Sequence, residues 1–189
     1  MDNTVAREQA LDAAEGLFYQ RGVQTVGMDD IRTASGVSLK RLYQLFPSKE
    51  RLVEAYLERR DARWRRLLAE HVERHEDPER RLLAVFDWLG EWFAEPGFRG
   101  CAWINSYGEL GTTSEPVARQ VRLHKGAFKE YVASLVAAAE LPGELAEQLF
   151  LLAEGAMVTA GIDRAPDPAT RAARAAELLI SASRGAAEG

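Results

Sequence analysis

The chain has 189 residues, 47% hydrophobic and 28% charged, with a formal net charge of −5, enough for one sizeable core or for a small head joined to a larger body. Abundant Ala, Leu, Glu and Arg without an alternating pattern give an all-α expectation of about nine helices, and the single Cys101 excludes an internal disulfide framework. No apolar run of about 18 residues stands out and the first residues are polar, so neither export nor membrane spanning is expected, and the expected compartment is cytoplasmic.

In chain order, Thr4 can cap a first helix to about Arg21, striped by Val5, Ala10, Leu11, Ala14, Leu17 and Phe18 and ended by Gly22. A second helix follows the turn over 23–27, with Met28, Ile31 and Ala34 at helical spacing. Gly36 can take the positive φ of a tight turn, Val37 can plug the angle between two helices, and Ser38 can cap a third. On this third helix Leu42, Leu45 and Phe46 face inward, leaving Lys40, Arg41, Tyr43 and Gln44 outward. Pro47-Ser48 breaks the chain before a fourth helix that runs from Lys49 to about His75. Further helices are expected at about Glu79 to Ala94, Cys101 to Leu110, Glu115 to Glu140, Gly143 to Asp163 and Pro168 to Gly185. The terminal Ala186-Ala187-Glu188-Gly189 run is expected to fray.

Net charge alone would argue against a phosphate-bearing partner, but its distribution reverses the inference. Residues 1 to 60 balance nine basic against nine acidic side chains, so the whole deficit lies beyond them. Between Arg32 and Arg51 five basic residues face the single acid Glu50. A short basic helix after a glycine turn fits a DNA major groove. The competing use of such a head is protein docking.

The order of parts resembles the TetR family of bacterial transcription repressors. The residues that carry the resemblance span roughly 8 to 53: Ala13-Ala14, Leu17-Phe18 before Gly22, Thr25-Val26, Asp30-Ile31, Ala34-Ser35-Gly36-Val37-Ser38, Leu42-Tyr43, Phe46, Ser48-Lys49-Glu50 and Leu52. Looser likeness continues at Gly100-Cys101, Asn105, Glu109-Leu110 and Glu154-Gly155-Ala156. The resemblance implies a helix-turn-helix DNA-binding head over 1–47 and a ligand-binding and dimerisation body over 48–189. It also implies that Leu39, Lys40 and Arg41 face base edges, that Tyr43 meets a phosphate or thymine methyl, and that Ser38 and Lys49 hold the DNA backbone. The implied partners are a palindromic operator, a small effector and a second subunit, with no membrane, cofactor or metal.

In the body, Trp64, Trp88, Trp92, Phe93, Trp103 and Tyr107, with Asn105 and Met157, are more aromatic than a plain bundle core requires. They suggest an apolar pocket with few polar anchors. The rival reading is core alone. Leu145, Leu149, Leu152, Ala153, Ala156 and Ala160, then Ala172, Ala175, Ala176, Leu178, Leu179 and Ser183, allow close packing of the last two helices, against a second subunit or within one. His71 and His75 lie one turn apart but lack a third ligand, so a solvated polar face is expected there. Cys101 is expected to be a buried inert thiol. No Gly-rich phosphate loop or nucleophile triad is present, so an enzyme is not expected. The alternative kept open is a helical carrier or enzyme with a protein-docking head.

Overall fold

The structure is a computed structural model describing residues 2 to 187. Nine helices occur among them: α1 (Asn3–Arg21), α2 (Met28–Ser35), α3 (Leu39–Leu45), α4 (Lys49–Val72), α5 (Pro78–Phe93), α6 (Ala102–Leu110), α7 (Glu115–Ala138), α8 (Glu144–Asp163) and α9 (Asp167–Ala187). There is no strand among the described residues, and the fold is all-α as expected. The fraying expected at Glu188-Gly189 lies outside the described residues. The chain forms two compact units, one of residues up to Ala62 together with Ala102–Leu123, the other of Arg63–Cys101 and the chain from His124 onward. Helices α4 and α7 contribute to both.

In the first unit, α1 is capped by Asp2 and not by Thr4: the Asp2 carboxylate accepts from the Thr4 amide at 3.4 Å. Both residue types cap helices, and the earlier one wins because it leaves Thr4 inside the first turn. Leu11, Ala14 and Phe18 enter the core, whereas Val5 stays exposed, one turn outside the stripe expected for it. Ile31, Val37, Leu42 and Phe46 complete the core beneath α2 and α3, and burial of each such side chain is worth roughly 1.5–3 kcal/mol. Ala34, expected inward, is exposed: α2 has only eight residues, and Met28 and Ile31 already supply its buried face. Arg59 on α4 pairs with Glu8, Asp12 and Glu15 at 3.1, 2.8 and 3.0 Å, and Arg60 pairs with Glu15 at 2.8 Å while lying 4.2 Å over the Tyr19 ring. These ties lock α4 along α1.

The second unit packs α5, α8 and α9 together. Asp77 caps α5, accepting from the Arg80 amide at 2.7 Å, and Pro78 occupies its first turn, where a missing amide hydrogen costs nothing. α4 stops at Val72, three residues short of His75, because the Arg74 and His75 amides turn to carbonyls only three residues back. Leu145, Leu149, Ala153, Ala156 and Ala160 of α8, with Ala172 and Ala176 of α9, are buried in this unit's own core. The outward face of the pair carries Leu151, Val158, Ile162 and Leu178.

By length and composition α8 is apolar enough to cross a membrane, contrary to the sequence expectation that no segment would be. Its inner face is nevertheless core. Glu147 and Glu154 of α8 pair with Lys129 and Lys125 of α7 at 2.5 and 2.7 Å, which marks a helix of a folded core. His71, expected on a solvated face, is buried with its Nδ1 3.4 Å from Glu91.

The tightest backbone approach in this unit is between Gly100, at φ 81°, and Gly161 of α8: a Cβ on Gly161 would lie 2.9 Å from the Gly100 Cα. Backbone meets backbone, so nothing flexible can yield. Gly161→Ala is expected to destabilise by about 1–3 kcal/mol. Gly126→Ala, in helix α7 with no atom within 4 Å of the new methyl, should gain roughly 0.5–1 kcal/mol. Urea unfolding midpoints of the two variants check the opposite signs.

Candidate nucleic-acid interface and effector cavity

The turn before α3 is built by local chemistry. Gly36 sits at φ 68° in the left-handed region and donates its amide to the Arg32 carbonyl at 3.0 Å, ending α2. Val37 then dives into the core and Ser38 caps α3, its Oγ accepting from the Arg41 amide at 3.4 Å. With Leu42 fully buried beneath, the opposite face of α3 presents Lys40, Tyr43 and Gln44 to solvent, Tyr43 being 47% exposed. Leu39 and Arg41 are half-buried at its flank, and the Arg41 guanidinium donates to the Gln44 side-chain oxygen at 3.2 Å. Ser38, Leu39, Lys40, Arg41 and Tyr43 therefore lie on one short helix and its cap.

Lys49 opens α4 and donates to the Gln24 carbonyl at 3.4 Å. Burial pulls its ammonium below the ordinary value, opposed by the carboxylates of Glu109 and Asp30. The start of α4 is capped by Ser48, whose Oγ accepts from the Arg51 amide at 3.3 Å.

Gln24 and Glu109 had no motif to announce them. The Glu109 carboxylate accepts the Gln24 amide at 2.7 Å, and the Gln24 side chain donates back to the Glu109 carbonyl at 2.6 Å. Gly22 makes room for this clamp: at φ 87°, a Cβ there would approach the Glu109 carboxylate at 3.1 Å. The α6 end thus grips the turn that carries Lys49's partner. The Glu109 carbonyl and carboxylate lie 85 residues from Gln24 in sequence, beyond the reach of any local signal.

The sequence-derived pocket residues separate in space. Trp64, Trp88 and Trp92 share the second unit, where Trp64 meets Trp88, His124 and Phe128 edge-on at 5.0, 4.9 and 5.1 Å between ring centroids. Met157 is buried in the same unit. Trp103, Asn105 and Tyr107 belong to the first unit: Trp103 is fully buried there, and Asn105 and Tyr107 are exposed. Beside Trp64, helices α4 and α7 enclose a cavity of about 170 Å³. A larger depression of about 710 Å³, beside His71, Arg80 and Arg174, is open and has polar walls. Cys101 is buried, its Sγ accepting from Lys125 at 3.4 Å, while Lys125 also donates to Glu154 at 2.8 Å.

Residues 10–56 match the family described as bacterial regulatory proteins, tetR family, and residues 78–176 match the tetracyclin repressor-like C-terminal domain. The chain belongs to the TetR family. A TetR-family transcriptional regulator of Streptomyces coelicolor is 28% identical, with 95% of this chain and 96% of that one superposing at a TM-score of 0.87. A TetR-type regulator of Streptomyces avermitilis is 30% identical, covering 91% and 98% of the two chains at a TM-score of 0.76. An uncharacterized HTH-type transcriptional regulator of Mycobacterium tuberculosis is 39% identical over 79 residues, a match spanning 42% of this chain and 39% of the relative's length.

Two carboxylates give the head of this TetR-family regulator an acid-labile stability. The Gly27 amide, donating at 2.8 Å, holds Asp30 below its ordinary value of 3.8, aided by Arg21 against desolvation. Burial would raise Glu54 above its ordinary 4.5, but hydrogen bonds from Arg51 and Arg119 together outweigh it and leave Glu54 lowered. A depressed folded-state pKa contributes stability that is complete above the ordinary value and is lost as pH falls through the lowered one. The Asp30→Asn, Glu54→Gln double variant should therefore be less stable at neutral pH yet show a flatter loss of stability below about pH 4.5. Urea midpoints measured by circular dichroism across pH 3 to 7 test this.

Proposed function

We propose that this chain is a cytoplasmic, homodimeric transcription repressor whose DNA-binding head, residues 1–47, reads a palindromic operator and whose body, residues 48–189, binds a small, largely apolar effector that releases it. The observation that carries the reading is α3, a capped helix whose buried Leu42 leaves Lys40, Tyr43 and Gln44 outward with Arg41 at their side. Its dimensions suit a major groove, and the family match covers the head from Ala10 in α1 onward.

The roles divide by chemistry. Arg41 is the candidate for bidentate guanine readout, since its planar fork matches O6 and N7; it would exchange its Gln44 partner for a base edge. Leu39 and Lys40 supply neighbouring base contacts. Ser38, Tyr43 and Lys49 position the head on phosphates, aided by the free amides at the start of α4. Lys49 and Trp64 lie on one continuous helix, so an effector that displaces α4 also displaces a phosphate contact. A coupling of about 1–3 kcal/mol would lower operator affinity roughly 5- to 150-fold.

Support for the second subunit comes from the outward face of α8 and α9, where Ile162 is 75% and Leu178 74% exposed, joined by Leu151 and Val158. A contiguous apolar face of this kind is uncommon on a protein that works alone. A two-fold pair would place recognition helices at half-sites about 34–36 Å apart, or a multiple of that.

Selection of a random duplex library at near-physiological salt is expected to enrich a palindrome; an unenriched pool would overturn the reading. With the selected duplex, Arg41→Ala should cost about 1–3 kcal/mol and relax the sequence preference at one base pair per half-site. Lys49→Ala should weaken all sequences alike and reduce the salt slope by about one for each phosphate it no longer neutralises. For assembly, Ile162→Glu combined with Leu178→Glu should sediment as a helical monomer with much reduced operator affinity; an unchanged dimer mass would place the interface elsewhere.

A further inference from the structure

The cavity between α4 and α7 has walls specific enough to say what fits it. Trp64, Leu68, Ala127 and Phe128 supply its apolar lining, with Arg65 and Tyr131 as its polar members. Its volume of about 170 Å³ is close to the roughly 150 Å³ of an engineered apolar void that admits benzene. One six-membered ring with one or two substituent atoms fills it, and fused ring systems do not fit. The Trp64 and Phe128 rings stand 87° apart, offering an edge and a face to a third ring, the arrangement aromatic quadrupoles favour.

Tyr131 adds the polar requirement. Its hydroxyl is buried and has no hydrogen-bond partner among the described residues. A buried hydroxyl left unpaired is costly, so a group that accepts from it gains more than the same contact would in water. Burial, with the Glu73 carboxylate acting in the same direction, raises Tyr131 above its ordinary value of 10.0, so at neutral pH the hydroxyl keeps its proton and can donate it to an acceptor. Arg65, exposed at the rim, brings a positive charge to the same wall.

We propose that this cavity receives a single-ring aromatic molecule bearing an acceptor oxygen, with the ring against Trp64 and Phe128 and the oxygen accepting from the Tyr131 hydroxyl. Benzoate-type acids and phenols share that chemistry. The inference rests on the body being an effector-binding unit and names the class of effector.

The test uses the full-length protein without DNA and three probes, benzoate, phenol and toluene, followed by titration calorimetry and tryptophan fluorescence. Benzoate and phenol should bind saturably, with toluene at least tenfold weaker. Tyr131→Phe, which removes one oxygen and no other atom, should bring phenol and benzoate down to the level of toluene. Ala127→Phe should fill the cavity and block all three. Arg65→Gln separates the two sources: weaker benzoate with unchanged phenol assigns an acid, and equal retention of both assigns a neutral phenol. No saturable binding of any probe, or undiminished discrimination against toluene in Tyr131→Phe, overturns the proposal, and the Tyr131 variant decides even if Ala127→Phe fails to fold. Because no operator is present, failure here leaves the repressor reading intact. Failure of operator selection with probe binding retained would overturn that reading alone.

Discussion

Seven residues of isolated helix do not hold together in water, and α3 has only seven. Everything the protein does at DNA depends on the small core that makes α3 a helix. Leu42 and Phe46 bury beneath it, Val37 fills the corner before it, and Ile31 of α2 and Leu11 of α1 close the far side. The basic and aromatic side chains outside are held by this burial and not by their own propensity. Charge at the interface is thus positioned by apolar contacts on the other side of the same helix.

The head is also tied by polar contacts that cross long stretches of chain. Arg59 and Arg60 bind the acidic side of α1, and Glu109 of α6 grips the turn after it through a reciprocal pair of hydrogen bonds with Gln24. Lys49 belongs to the same network through the Gln24 carbonyl and the fields of Glu109 and Asp30. A residue that meets a phosphate therefore shares its partners with α6. Any change in α6 alters the electrostatic surroundings of that lysine, a direct physical route from one element to another within this unit.

The second unit shows how aromatic residues serve two ends at once. Around Trp64 the edge-on rings of Trp88, His124 and Phe128 make a dense wall, and small Ala127 leaves a gap beside it. The buried thiol of Cys101 and the ammonium of Lys125 sit together under Glu154, so the one cysteine in the chain is part of a packed polar cluster. The small residues of α8 and α9 close this core, and larger apolar side chains face outward. That is the reverse of the arrangement expected from small-residue spacing alone, which shows that two helices can approach closely without showing which neighbour they approach.

Local chemistry determined much of this protein from sequence alone. Gly36, Val37 and Ser38 specify the turn and cap, Asp77-Pro78 starts α5, and the helical repeat of apolar residues places all nine helices to within about three residues at each end. The outward basic set on α3 was legible for the same reason: side-chain direction follows from helical period once the buried positions are known. Tertiary structure decided what periodicity cannot encode. It separated Trp103 from Trp64, buried His71 against Glu91, paired Glu109 with Gln24 and left Ile162 and Leu178 outside. Each of these depends on which helix faces which, and that choice is made by the summed burial of whole faces, a property of the assembled chain and not of any short stretch of it.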